Sequence, residues 1–189
     1  MEIKKENAVA AYNAADENTK KVLLSLLPEL EEAIKPRDIT ESVKTFEDAV
    51  EVLGKEHSFV RAYCCVKDID ECSNDIIAFM KLRIICAALN EGWEPEFTED
   101  EKRWYPWFSL WTEEGLSRNS DEWKAARHLI STGDYLGDFA DFACEGSYSA
   151  PSSTSTDLSF RLCLKSKPLA EYCGKQFISL WADFNLIKK

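Results

Sequence analysis

The most chemically distinctive residues in the chain are the rings of Trp104-Tyr105-Pro106-Trp107-Phe108-Ser109-Leu110-Trp111. Aromatic content favours a strand, and Pro106 confines that strand to a sheet edge, a bulge or its own first residues. Alternation then puts Trp104, Phe108 and Leu110 on one side and Tyr105, Trp107 and Trp111 on the other. With one side in a core, the other becomes a platform for bases of single-stranded nucleic acid, for sugar rings or for a partner's apolar anchor. The competing reading buries both faces between helices, the commoner fate of rings at this density. Lys102 and Arg103 are the only nearby cations for a phosphate, and the acidic run from Glu94 to Glu101 opposes them.

A second constellation is acidic. Asp134, Asp138, Asp141 and Glu145 recur at intervals that align four carboxylates along one face of a helix. Such a ridge attracts a basic partner or, with a second element, holds a divalent cation through oxygen ligands, which is the route to a metal-dependent hydrolase. A plainly solvated ridge is the simpler reading, because like charges at these intervals cost only tenths of a kcal/mol. The Glu94 to Glu101 run lacks the Asp/Asn and Gly pattern of a calcium loop and is read the same way.

Seven cysteines stand at 64, 65, 72, 86, 144, 163 and 173, and the histidines are His57 and His128. The spacing contains no C-x-x-C pair, so a zinc site would need long-range convergence. A cysteine nucleophile would need a base beside it in space, which the sequence neither proposes nor excludes. G-x-S-x-G, G-x-G-x-x-G and the phosphate-binding loop are all missing, and Gly133-x-x-x-Gly137 lacks the Lys-Ser/Thr ending. No catalytic residue, metal ligand or cofactor is therefore assigned. Trp123 and Arg127 stand four apart, a spacing that permits a cation–π contact on a helix.

With 45% apolar and 30% charged residues, six Trp, six Tyr and ten Phe, the chain has enough bulk for a core. The net charge of −11 is uneven: residues 1–56 hold 8 basic and 13 acidic side chains, 57–150 hold 9 and 18, and 151–189 hold 6 and 3. An acidic surface disfavours duplex nucleic acid and suits a basic protein partner. An odd number of scattered cysteines does not form a disulfide framework and fits a reducing cytoplasm. Met1 to Asn7 lacks the apolar core of a secretory signal, and no apolar run nears the roughly eighteen residues of a membrane span.

The elements that must position these residues follow from periodicity. Ala8 to Leu27 reads as helical with a restart at Asp16, ended by Pro28. Thr45 and Asp48 form a variant capping box for a short helix stopped by Gly54. Phe59 to Val66 is read as helix, and Ser73 opens a long core helix carrying Ile76, Ile77, Met80, Ile84, Ala88 and Leu89 up to Gly92. Residues 93–103 are an acidic loop, 120–130 and 134–145 are helices, 146–157 is a Ser/Thr/Gly-rich loop, and Leu158 to Leu164 is a strand that pairs with 104–111. Ser166 caps a final helix with Pro168 in its first turn and a stripe of Leu169, Tyr172, Cys173, Phe177, Leu180, Trp181 and Phe184.

Three pieces carry a resemblance. Asn90-Glu91-Gly92-Trp93 with Pro95, Tyr105-Pro106-Trp107-Phe108, and Arg161-Leu162-Cys163-Leu164-Lys165-Ser166 running into Ala170-Glu171-Tyr172-Cys173-Gly174-Lys175-Gln176-Phe177 resemble a family of small proteins encoded by phages and prophages of gut Bacteroidales. The resemblance runs in order from 45 to 184, with the stretch from 112 to 157 longer and different here. No activity is assigned to that family, so it carries over no site residue. It implies a phage or mobile-element product working in a bacterial cytoplasm or a virion.

The expectation is a mostly helical α+β fold with five to seven helices and a small antiparallel sheet near 104–111 and 158–164. It is read as one domain, 1–189, with 1–56 as an alternative N-terminal helical subdomain. The expected role is a non-enzymatic accessory protein that binds another protein through Trp104, Tyr105, Trp107, Trp111, Asp134, Asp138 and Asp141. Single-stranded nucleic acid or carbohydrate is the alternative ligand class, and a metal-dependent hydrolase the third.

Overall fold

The computed structural model describes residues 5–34, 38–96, 98, 100–150 and 160–189. The chain divides into two compact units, Met1–Asp38 and Ile39–Lys189. In the first, α1 (Lys5–Ala14), α2 (Glu17–Leu26) and α3 (Pro28–Ile34) follow one another closely. The restart expected at Asp16 is real, since its carboxylate accepts from the Asn18 and Thr19 amides at 2.9 Å each. Pro28 does more than end α2: it opens α3, where its missing N–H is harmless.

The second unit is α+β. Its described helices are α4 (Ile39–Ser42), α5 (Phe46–Leu53), α6 (Ser58–Val66), α7 (Asn74–Asn90), α8 (Glu113–Ser117), α9 (Asp121–Ala126), α10 (Lys167–Gln176) and α11 (Ile178–Asn185). Its strands are β1 (Arg103–Trp111), β2 (Ile130–Ser131) and β3 (Asp141–Ala150), in the order β1-β3-β2, with β1 and β2 each antiparallel to β3. The helices outnumber the five to seven expected because short turns such as α4 and α8 carry no periodic stripe to be read, and because the final helix is two. No helix of the described residues is long and apolar enough to cross a membrane.

Helix α5 packs on α7 and so belongs to the second unit. The Thr45 box is fully formed: Thr45 Oγ1 accepts from the Asp48 amide at 3.1 Å, and the Asp48 carboxylate accepts from the Thr45 and Lys44 amides at 2.8 and 3.0 Å. Helix α7 is the centre of the core. Leu82, Ile84, Ile85, Ala88 and Leu89 have no exposure at all, and α5, α6 and α11 pack around them, so the helix is apolar on most of its circumference. Glu91 (φ 49°) and Gly92 (φ 83°) turn left-handed and stop it.

The sheet differs from expectation in its partner strand. Residues 141–150 pair with 103–111, from Arg103 opposite Ala150 to Trp111 opposite Asp141. The segment 134–145, read as helix, is instead a turn around Gly137 (φ 115°) that feeds β3, and the Ser/Gly stretch 146–150 continues the strand. Tyr135, Phe139, Phe142 and Ala143 mimic a helical stripe, but the ladder with β1 decides the outcome. Residues 151–157 of the expected loop, and Leu158 and Ser159 of the expected strand, lie outside the described residues. Phe160–Leu162 is a single 3₁₀ turn, so the anticipated pairing survives only as a bridge between Leu164 and Trp104, at 3.0 and 2.9 Å. Pro106 sits on an edge strand, as its missing donor requires, one residue before the register shift between Trp107 and Phe108.

The final helix breaks at Phe177 into α10 and α11. Gly174 of α10 packs on the sheet so closely that a Cβ there would lie 2.7 Å from Cys144 Sγ and 2.8 Å from Pro106 Cβ. Beneath this contact Trp181, with no exposure, meets Phe108 (5.2 Å between ring centroids), and Phe108 stacks on Phe142 at 4.8 Å.

Candidate functional site

Strand alternation sorts the aromatic segment as its spacing implies. Trp104 and Phe108 pack against the main core, whereas Tyr105, Trp107 and Trp111 face the other side of β1. That second face is unevenly open. Tyr105 is 2% exposed, Trp111 is half-buried and Trp107 is 55% exposed. Tyr148, opposite Tyr105 in the ladder, stacks on it at 5.4 Å and meets Trp107 edge-on at 5.7 Å. Trp111 abuts Trp123 of α9 at 5.0 Å, and the Arg127 guanidinium lies 4.0 Å over the Trp123 ring.

A carboxylate locks this face. Glu145 is the extra residue of β3 at the register shift, the place where a bulge re-aims a side chain. It accepts from Ser109 Oγ at 2.5 Å, Trp111 Nε1 at 2.7 Å and Arg127 Nε at 2.6 Å. Burial pushes its carboxyl up, but the bonds from Ser109, Arg127 and Trp111 together outweigh that and hold it below its ordinary value of 4.5. A lowered folded value stabilises the fold above the ordinary carboxylate range and ceases to do so as pH falls through it. Glu145→Gln is therefore expected to cost about 1–2 kcal/mol at neutral pH. In urea titrations the gap to wild type should start to close near pH 4.5 and vanish below the depressed value. A gap independent of pH would mean that the charge contributes nothing.

The acidic ridge is not formed. Asp134 and Asp138 are exposed in the turn before β3, Asp141 is half-buried opposite Trp111, and Glu145 is committed as above. Among the described residues no three His, Cys, Asp or Glu side chains converge as metal ligands would. The structure thus joins Trp111 to Glu145 on the sheet face that also carries Trp107, and leaves Asp134 and Asp138 apart. Trp104 belongs to the core side. Arg127 and Trp123 form the cation–π contact that their spacing allows, and His128 (φ 51°) is exposed just after α9.

A feature the sequence reading missed is a cleft of about 730 Å³ between the start of α6, the last turns of α7, the loop that follows it and Arg161 to Cys163. His57, Cys86 and Cys163 all line it. They are not a nucleophile and its base. His57 Nδ1 accepts from the Phe59 amide at 3.3 Å as the cap of α6, and Cys86 Sγ donates to the Leu162 carbonyl at 3.6 Å. Hydrogen bonding with Cys173 and burial raise the Cys86 thiol, and burial pushes Cys163 and Cys144 up to about 11, the reverse of thiolate activation. Asn90 closes the floor: its Nδ2 donates to the Cys163 carbonyl at 2.9 Å and its Oδ1 accepts from the Lys165 amide at 3.0 Å. The available signal was Arg83, which with Lys81 interrupts the apolar run of α7.

A second hollow, about 480 Å³, lies between the start of α7 and the end of α11. Its Asp183 is already engaged by the Tyr135 hydroxyl at 2.7 Å and by Lys188 at 2.8 Å. Comparison with protein families, with curated proteins and with solved structures returned no match, so the functional reading rests on this geometry.

Proposed function

We propose that this chain is a phage- or mobile-element-encoded accessory protein that works in the bacterial cytoplasm or a virion by binding another protein, without chemistry on its partner. The observation that carries the binding reading is Trp107, open to solvent on a sheet face whose other rings are held in place. An exposed Trp against fixed neighbours loses little side-chain freedom on contact, which is the character of an interface anchor. Glu113, Glu114, Asp121 and Glu122 are exposed on α8 and α9 beside Trp111, and with the net charge of −11 they favour a basic partner. The resemblance of 90–95, 105–108 and 161–177 supports the phage context.

Stacking successive bases or sugars asks for a row of open rings, and Tyr105 and Trp111 are not open. A photo-crosslinking tryptophan analogue at position 107, which keeps the ring in place, compared with one at the exposed Ile187, tests the choice. The expected result is a discrete protein adduct from position 107 alone, with Trp107→Ala weakening that partner roughly thirtyfold, about 2 kcal/mol. An adduct formed equally from both positions, or an affinity that Trp107→Ala leaves unchanged, overturns the reading. Tryptophan quenching by short oligonucleotides or oligosaccharides that Trp107→Ala removes would transfer the face to that ligand class.

A further inference from the structure

Arg83 in the cleft described above is an anomaly in a chain with 34 acidic and 23 basic side chains. Among the described residues it meets no carboxylate, and its Nε is buried without an acceptor. The guanidinium lies 4.0 Å over the Phe59 ring and 5.8 Å from Phe79, so two rings fix it from behind. Arg83 and Arg161 both line the cleft, and desolvation, then the repulsion of Arg161, weaken the hold of Arg83 on its proton. The terminal N–H groups of the guanidinium line the cleft, where an anion arriving from solution can pair with them. The same wall carries Trp93, half-buried, and the small Ala87, while the one acid among the described lining residues, Glu94, is exposed. The volume falls within the range of small-molecule sites.

We propose that this cleft binds a small organic anion with a flat apolar body, its carboxylate or phosphate held by Arg83 with Arg161 and its body lodged against Trp93. The planar fork of Arg83 suits either oxyanion, and His57, whose Nδ1 is occupied by the Phe59 amide, presents its other ring nitrogen as a donor. This site is separate from Trp107 and stands or falls independently of partner binding.

The test is calorimetric titration of the full chain with phenyl phosphate and with benzoate, against inorganic phosphate and benzyl alcohol as half-ligands. At least one aromatic anion should bind ten or more times more tightly than either half-ligand. Arg83→Gln should weaken it tenfold or more, Ala87→Phe should abolish it by filling the cleft, and Ile187→Ser, at an exposed residue away from the cleft, should leave it unchanged. Thermal melts of each variant confirm folding, and Ala87→Phe keeps the question open to refutation if Arg83→Gln does not fold. No saturation by either aromatic anion at millimolar concentration overturns the proposal, as does binding insensitive to both variants. Inorganic phosphate bound as tightly as phenyl phosphate would overturn the part played by the flat body.

Discussion

Glu101→Ala is expected to destabilise the second unit by about 3–5 kcal/mol, the largest single-site effect foreseen for this protein. Arg103, at the first position of β1, has a side chain with no exposure, and its Nη1 donates to Glu101 Oε2 at 2.9 Å. Glu101 is itself only 14% exposed and also accepts from the Glu96 amide at 3.0 and 3.1 Å. Removing the carboxylate takes from a buried guanidinium its partner at 2.9 Å and from the Glu96 amide its acceptor. The pair's own net worth is a different quantity, since an apolar pair of similar volume often does as well. Glu101→Leu combined with Arg103→Met should accordingly recover most of the loss, and a double-mutant cycle from urea midpoints measures it. A Glu101→Ala variant within about 1 kcal/mol of wild type would show that the charge is satisfied elsewhere.

Asn90→Ala should cost about 2–4 kcal/mol, because it leaves the Cys163 carbonyl and the Lys165 amide without the partners that hold them beneath the cleft. Asn90 is 7% exposed, and its short planar amide offers a donor and an acceptor side by side. Asn90→Asp retains the acceptor for Lys165 and sets an oxygen against the Cys163 carbonyl, so it too is expected to destabilise. Hydrogen exchange at the Lys165 amide separates this local role from a global one. Its protection should collapse in Asn90→Ala before that of the α7 amides, and equal loss at both would disprove the clamp.

What the sequence revealed and what it hid follow one physical line. The capping box at Thr45 and Asp48, the stop at Gly92 and the edge placement of Pro106 are settled by groups within a few residues of one another, and all three are present. The two faces of the aromatic strand were also legible, because alternation needs no knowledge of the partner. β3 was not legible: its Phe142 and Ala143 continue a helical-looking stripe, and its C-terminal half is Ser and Gly, so only the ladder to β1, thirty or more residues away, makes it a strand. Glu145 shares that origin, since its three donors come from positions 109, 111 and 127. The cleft gathers Phe59, Arg83, Trp93 and Arg161 from four segments whose meeting no local pattern announces.

The placement of Pro106 has a consequence for how anything can attach to the sheet. On the free margin of β1 the backbone of Trp104 is already taken by Leu164, and two residues on there is no N–H to offer. At the opposite margin the two residues of β2 cover Asp141 and Phe142 of β3 only, and the Arg127 carbonyl takes the Cys144 amide beyond them. Both rims are thereby blunted against strand addition, the route by which extended peptides and misfolded copies of a chain latch on through main-chain ladders. A visitor must instead read side chains, and affinity can then be tuned one residue at a time without opening a path to fibrils.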